Sequence, residues 1–216
     1  MNSNGLRNAL RNIEGKLQEL PHSHRLAFAA ACCERAYPNY LRFFQLAHWG
    51  GPAALRAALD NAWAFIENPR LGVKDIEELE EKCKAVTPDL DEFSSAEIDL
   101  EAAAAQEATF MIRLLLQFCK DNQVSYALRI ATFAMDTIDM YVQAIEGIDP
   151  ADPRVDEIVA EHPLMQREVC KQKEDTSKLA GVKTQADLHE FRKQATHLDR
   201  SNVGMVCAVR SRKHFP

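Results

Sequence analysis

Apolar residues recur at intervals of three and four along most of this chain, which is the spacing of an amphipathic helix. Pro21 follows the first apolar stripe and is expected to end its helix. Ser23 then caps a second helix. Pro38 is expected to end or kink that helix near Tyr37, because proline has no backbone donor and clashes with the preceding turn. The first stripe consists of Leu6, Leu10, Ile13, Leu17 and Leu20.

The same spacing predicts eight further helices, separated by short loops in which glycine, proline and polar residues are common. Gly50 and Gly51 stop the first of these helices, and Gly147 with the following segment IDPADPR breaks the pattern after the fifth. The predicted ranges are 40–46, 52–66, 73–86, 94–118 (beginning at Ser94 or Ser95), 125–145, 153–161, 163–179 and 184–199.

Two of the predicted helices are apolar on nearly every side, namely the second half of 94–118 and most of 125–145. Helices of that kind lie at the centre of a domain, so this pair is predicted to form a core hairpin. The fold class is therefore all-α, a compact multi-helix bundle with a central long helical hairpin and short loops. Residues 1–205 are predicted to form a single all-helical domain, with the more polar later helices outside the core. Residues 206–216 are predicted to form a short basic C-terminal tail.

The composition narrows the classes of partner and the compartment. The chain carries a net charge of −6, which disfavours binding to nucleic acid and is compatible with a basic protein partner. Its six cysteines are spread widely without metal-ligand spacing, which favours a reducing cytoplasm over a disulfide framework. No signal peptide and no window of 18 apolar residues is present, so neither export nor a membrane span is expected.

Two groups of acidic residues are candidates for chemistry. Asp136 and Asp139 lie three apart in an otherwise apolar run. They form either a metal half-site, an anchor for a charged partner, or an edge that faces solvent or bonds to Arg113 or Arg129. The second group, Glu77, Glu78 and Glu81, has the spacing of a Mg²⁺-binding helix, but the second acidic pair that such a site needs is incomplete. A solvated helix face explains this group more simply.

Other signatures of catalysis are missing from the sequence. No histidine has a glutamate three residues before it, as di-iron bundles require. No nucleophile elbow and no glycine-rich phosphate loop is present either. The sequence therefore predicts no catalytic residue, no metal site and no cofactor, although these absences leave enzymatic activity open.

The segment CCERAYPNY, residues 32–40, combines more chemistry than any other stretch of the chain. Glu34 and Arg35 precede the bend expected at Pro38, where their side chains can reach exposed backbone groups. The rings of Tyr37 and Tyr40 are expected to pack inward with their hydroxyls at a polar rim. The segment is either a hydrogen-bonded kink that joins two helices or a ligand or partner site at the bend.

Several of these residues resemble the YjaG family, a bacterial group also called domain of unknown function 416. The resemblance spans about residues 6–206, and its most specific part is C-E-R-x-Y-P-N-Y. It implies a compact, all-helical, cytoplasmic bacterial protein of no established activity, with suggestions of signalling partnership or toxin immunity for proteins of this kind. The tail after Met205 departs from the family pattern. The matching positions are Cys33, Glu34, Arg35, Tyr37, Pro38, Asn39 and Tyr40, with Ser201, Asn202 and Gly204.

Three functional hypotheses follow, and the first is preferred. It is a noncatalytic protein–protein interaction module with a protein partner, for example a toxin-immunity protein or a signalling accessory. The second is a divalent-metal-dependent nucleotide hydrolase built on Glu77, Glu81 and Asp99, or on Asp136 and Asp139. The third is a structural homo-oligomer that uses the stripe between Leu6 and Leu20 as its interface. Candidate partner- or ligand-binding residues are Glu34, Arg35, Tyr37, Asn39, Tyr40, Asp136, Asp139 and Asn202.

Overall fold

The structure is a computed structural model that describes residues 3–70, 73–93, 95, 98–197 and 200–204. Within those ranges the chain forms nine α-helices, which confirms the predicted all-α bundle. The predicted tail, residues 206–216, lies outside the described residues. The helices are α1 (Ser3–Glu19), α2 (His22–Ala47), α3 (Pro52–Glu67), α4 (Val73–Ala85), α5 (Asp99–Lys120), α6 (Val124–Glu146), α7 (Val155–Glu161), α8 (Pro163–Gly181) and α9 (Gln185–Thr196).

The central helix of the bundle is α2. Twelve consecutive residues of this helix, 26 to 37, are buried, so that it has neighbours on every side. The α5–α6 hairpin packs against it together with α3, α8 and α9. The predicted hairpin is therefore part of the centre of the bundle, and α2 shares that place with it. The inner face of the hairpin packs on α2, whose sequence contains Glu34 and Arg35.

Of the two outcomes predicted near Tyr37, an end or a kink of the helix, the end is wrong, because α2 continues through Pro38 as far as Ala47. A proline inside a helix costs about 3 kcal/mol. Packing offsets that cost, since Tyr40 and Phe43 beyond the proline are both fully buried. One carbonyl next to the interruption also gains a partner from outside the helix, because the Asn202 N–H donates to the Arg35 oxygen over 2.9 Å.

Two predicted helix starts are also corrected. Helix α2 begins at His22 and not beyond Ser23, and no side-chain hydrogen bond caps it. Helix α5 begins at Asp99, although Ser95 was one of two expected starting residues; Ser94 lies outside the described residues. By contrast, the α9 start follows the sequence closely, because Thr184 and Asp187 form a reciprocal capping box.

The buried apolar residues fall into two clusters. The larger cluster unites α2 with α3, α5 and the first half of α6. The smaller one joins the first half of α1 to the second half of α6, to α7 and to the start of α8. Ile13 and Leu17 of α1 and Leu20 just after it are buried within the chain, so this part of the first stripe is an edge of the core. The members of the smaller cluster are Ala9, Met135, Ile138, Val142, Val159, Met165, Val169 and Val203.

Candidate functional site

Arg35 crosses from α2 to α8 in the interior of the bundle. Its Nε and Nη2 atoms donate to the Glu168 carboxylate over 3.0 and 2.9 Å, in a two-pronged arrangement. Its Nη1 donates to Asp175 Oδ2 over 2.7 Å. Both carboxylates and the guanidinium are almost inaccessible to solvent. One buried cation therefore joins two buried anions, which lie seven residues apart on α8.

Burial and charge act in opposite directions on the pKa values of this group. Burial alone would lower the pKa of Arg35, but the neighbouring carboxylates, Glu168 above all, raise it well above its ordinary value. Burial alone would raise the pKa of Glu168, but the Arg35 charge and its hydrogen bonds lower it instead. Gln172 adds another hydrogen bond to Glu168, of 3.0 Å. Arg35 and Glu168 therefore form a charged ion pair and not a neutral one.

Glu34 faces the opposite side of α2 and ties it to α3. Its two oxygens accept hydrogen bonds from both terminal nitrogens of Arg56, over 2.8 and 2.7 Å. The indole N–H of Trp63 donates to the same carboxylate over 3.0 Å. Arg56 also pairs with Asp60 on its own helix over 2.9 Å. This buried carboxylate therefore has three donors, as a charge removed from water requires.

The two tyrosines of the segment are buried, as their predicted inward packing requires, and their hydroxyls contact backbone groups outside α2. The Tyr40 hydroxyl donates to the Val86 carbonyl over 2.7 Å and accepts from the Gly51 N–H over 3.1 Å. The Tyr37 hydroxyl donates to the Pro52 carbonyl over 3.1 Å. Tyr37 thus joins α2 to the first residue of α3, and Tyr40 joins α2 to the residues that follow α4 and precede α3.

Asn39 and Asn202 bring the end of the described chain onto α2. Asn39 is fully buried, and its side-chain nitrogen donates to the Asn202 side-chain oxygen over 2.8 Å. Asn202 in turn donates to the Ala134 carbonyl of α6 over 3.1 Å. The two amides therefore connect α2, α6 and the turn at residues 201–204.

We refer to Glu34, Arg35, Asn39 and their hydrogen-bonding partners as the polar seam. The structure brings six of the eight predicted site residues, all except Asp136 and Asp139, to this seam or its rim. All six are buried, so in the observed state they hold helices together and offer a partner little accessible surface. Whether a ligand binds there remains a prediction. The six are Glu34, Arg35, Tyr37, Asn39, Tyr40 and Asn202.

Sequence inspection missed the residues that complete the seam on α3 and α8. One signal was present, since Glu168, Gln172 and Asp175 follow one another at intervals of four and three. That spacing places them on one helix face, and the apolar residues Val169 and Leu179 share the buried side of α8. A polar stripe on the inner face of a helix indicates an interior partner of opposite charge. The separation of more than 130 residues concealed Arg35 as that partner.

The second predicted pair lies at the surface of the α5–α6 hairpin. Asp136 is exposed, and Asp139 is half-buried and accepts a hydrogen bond from Gln143 over 2.7 Å. Asp139 is therefore bonded within α6, and Asp136 lies at an edge that faces solvent, which was one of the alternatives left open by the sequence. Partial burial and the charge of Asp139 raise the pKa of Asp136. Glu107 of α5 joins this group, because its own burial and then the charge of Asp136 raise its pKa to about 7.

Replacing Glu107 with glutamine is expected to stabilise the protein at pH 8 by about 1–2 kcal/mol. The folded-state pKa of Glu107 is raised, so its favourable contribution is complete below about pH 4.5 and is lost as the pH rises through about 7. Partial solvent exposure reduces the effect below the value that the full shift implies. Urea denaturation at pH 4.5 and pH 8 measures it.

Glu81→Gln is the control for Glu107→Gln, because Glu81 is an exposed glutamate on α4. It should change stability little at either pH. Asp136→Asn should reproduce part of the gain, since it removes a charge that raises the Glu107 pKa. An equal effect of Glu107→Gln at both pH values would show that its carboxyl group is not responsible.

The described residues contain no group of three histidine, cysteine or acidic side chains placed to hold a metal ion. Glu77 and Glu81 point into solvent on α4, and Asp99 is the exposed first residue of α5.

Every described cysteine is a free thiol, and only Cys170 is exposed. Burial raises the pKa of Cys83 and of Cys119 to about 12, so these thiols remain protonated. They pack as small apolar side chains.

These features define an all-helical protein in which buried ion pairs link a central helix to its neighbours. Residues 12–206 match the model of the DUF416 family, whose description is protein of unknown function, and the chain belongs to that family. The chain is also similar to a crystal structure of a DUF416 family protein from Shewanella baltica OS155, with a TM-score of 0.80 and 24% identity. That similarity covers 90% of this chain and 98% of the other, and shows a shared fold. No curated protein matches the chain. Among the described helices, none combines the length and the apolar character needed to cross a membrane.

Proposed function

We propose that this protein is a noncatalytic binding module that recognises a basic protein partner in the cytoplasm. The recognition surface is the acidic pole, which we define as the exposed residues of α4, the loop at 87–93 and the start of α5. The uneven distribution of charge along the chain is the observation that carries the proposal.

The acidic pole concentrates the negative charge of the whole molecule. Residues 74–101 contain eleven aspartates and glutamates against three lysines, a net charge of −8. The chain as a whole carries −6, so the remaining residues are slightly basic. A charge imbalance of this size creates a field that steers an oppositely charged partner and raises its association rate.

The geometry of α4 leaves these charges available. Ile76 and Cys83 are buried on the inner side of the helix, while Glu77, Glu78 and Glu81 are exposed on the other. Only part of this charge is neutralised locally, by Lys82 for Glu78 and by Lys120 for Glu77. The helix therefore presents an acidic outer face that the bundle itself does not cover.

The loop after α4 adds an apolar contact to this surface. Leu90 is 38% exposed and lies between the exposed acids Asp89 and Asp91. An apolar side chain within a charged surface is typical of a binding patch, in which the charges orient the partner and the apolar group is desolvated. A basic protein with a small apolar patch fits this arrangement, which supports an immunity-type or signalling role.

The first experiment is capture of a stoichiometric partner from the native cell with the full chain as bait. The second reverses two charges of the pole, with Glu81→Lys and Asp91→Lys combined. We expect affinity for the captured partner to fall at least tenfold. The wild-type affinity should decline more steeply with salt than that of the variant, because the variant has lost the charge attraction that salt screens. Titration calorimetry or surface plasmon resonance measures both effects.

The matched control reverses two exposed charges on α7, with Asp156→Lys and Glu157→Lys combined. These changes alter net charge equally and should leave affinity nearly unchanged. Equal losses in the two variants would show that only net charge matters and would contradict a defined surface. A thermal shift with Mg²⁺, Mn²⁺ or a nucleotide would instead favour the enzyme hypothesis, since a ligand at a hundred times its Kd adds about 2.7 kcal/mol of stability.

A further inference from the structure

We propose that the turn at residues 201–204 is a latch that holds α7 and the first turns of α8 on the bundle. When the latch is released, these two segments open together while the core of α2, α5 and α6 remains folded. The proposal concerns the conformational behaviour of the chain and does not depend on the identity of a partner.

The turn is buried although it contains no regular secondary structure. Ser201, Asn202 and Val203 are all almost completely inaccessible to solvent. Asn202 makes three hydrogen bonds to α2 and α6: its N–H donates to the Arg35 carbonyl, its side-chain nitrogen donates to the Ala134 carbonyl, and its side-chain oxygen accepts from Asn39. A short segment with this many fixed hydrogen bonds is an anchor and not a surface loop.

The same turn is attached to α8 from the other side. Arg167 donates through Nη2 to the carbonyl of Asn202 over 2.7 Å and also to the carbonyl of Ser201. Gly204 adopts a φ of +85°, and a Cβ atom at this position would lie 3.0 Å from the Leu164 side chain. Because Gly204 has no side chain, the turn can lie close to Leu164 at the start of α8.

Two attachments divide α8 into an early and a late part. The late part, from Glu168 onward, is held by the ion pairs of Glu168 and Asp175 with Arg35. The early part, residues 163–167, is bonded to the turn through Arg167, and its Met165 packs in the small apolar cluster. The helix before it, α7, is only seven residues long and cannot be stable without packing. Its buried residue Val159 belongs to the same small apolar cluster as Val203.

Loss of the latch should therefore lower local stability more than global stability. Local opening of such a unit is a recognised source of uneven hydrogen exchange in folded proteins. Asn202→Ala removes the side-chain bonds to Asn39 and Ala134 from the turn. Arg167→Met removes the attachment from the α8 side and leaves Asn39 and Asn202 paired. Both variants should produce the same pattern of opening.

Native-state hydrogen exchange of the full chain, read by mass spectrometry, tests the latch. In both variants we expect amides in α7 and in residues 163–167 to exchange at least tenfold faster, with α2 and α5 changed less than twofold. Asn122→Ala, in the exposed α5–α6 turn, is the control and should accelerate neither region. Uniform acceleration across all helices, or no acceleration of α7, would overturn the proposal.

Discussion

Replacing Arg35 with methionine is expected to lower the free energy of unfolding by about 3–5 kcal/mol, because it leaves Glu168 and Asp175 buried without their shared cation. Methionine has a similar length and keeps most of the apolar packing around the stem of the side chain. The loss should therefore report the ion pairs and not a cavity. Urea denaturation at pH 7 measures it, with the dependence on denaturant concentration as a check that unfolding remains cooperative.

The pH dependence of the Arg35→Met effect distinguishes charge from packing. The folded-state pKa of Glu168 is lowered, so its stabilising contribution is complete above its ordinary pKa of about 4.5 and is lost as the pH falls below that value. The stability difference between wild type and variant should therefore shrink below pH 4.5. A difference that stays constant down to pH 3 would show that the guanidinium acts through packing.

A second comparison removes all three charges at once. The triple variant Arg35→Met, Glu168→Met and Asp175→Leu contains no buried ion between α2 and α8, and it should recover most of the stability that Arg35→Met loses. Buried ion pairs often contribute little relative to apolar residues of the same shape, although breaking one is costly. If the triple variant were less stable than the single one, the cost would lie in the packing of α8.

The helices of this protein could be predicted from the sequence because their apolar spacing is regular. The α1 stripe, the α6 run and the capping residues at the start of α9 all contain their information within a few neighbouring positions. The central place of α2 could not be predicted in the same way. Glu34 and Arg35 interrupt an otherwise apolar stretch of this helix, and their burial depends on charges of α3 and α8 that lie distant in the sequence.

The continuation of α2 through Pro38 has a cause of the same kind. Local rules predict that a proline ends a helix, since the loss of a hydrogen bond and the steric clash are local costs. The favourable terms are tertiary, namely the burial of Tyr40 and Phe43 and the bonds of their neighbours to distant segments. The local sequence therefore reveals the cost of a proline inside a helix, but not the tertiary contacts that offset it. The candidate site shows this most clearly. Its polar residues stand out in the sequence, but in the fold they hold helices together.

Because the residues of the polar seam are buried and bonded to one another, a partner is expected to bind elsewhere on the protein surface. The side chains of Glu34, Arg35 and Asn39 are already bonded to the chain itself. Recruiting them for a ligand would require those bonds to open at a cost of several kcal/mol. The acidic pole carries no such cost, because most of its carboxylates face water. A partner can therefore approach the pole without disturbing the fold.

Replacing Glu34 with alanine is the second large expected effect, a loss of about 2–4 kcal/mol in the free energy of unfolding. The change leaves the Trp63 indole N–H buried without an acceptor and removes both hydrogen bonds from Arg56 to α2. Arg56 keeps its bond to Asp60 and is 17% exposed, so the loss is smaller than at Arg35. Glu34→Gln keeps an oxygen for Trp63 and should lose about half as much.

A double-mutant cycle assigns the Glu34 effect to its partner. Glu34→Ala and Arg56→Met are each expected to destabilise the protein, and the combined variant should lose less than the sum by at least about 1 kcal/mol. Trp63→Phe isolates the indole hydrogen bond, since the ring remains and only the donor is removed. A coupling energy near zero would mean that Glu34 and Arg56 contribute independently, and that α2 and α3 are held together by apolar packing around the polar seam.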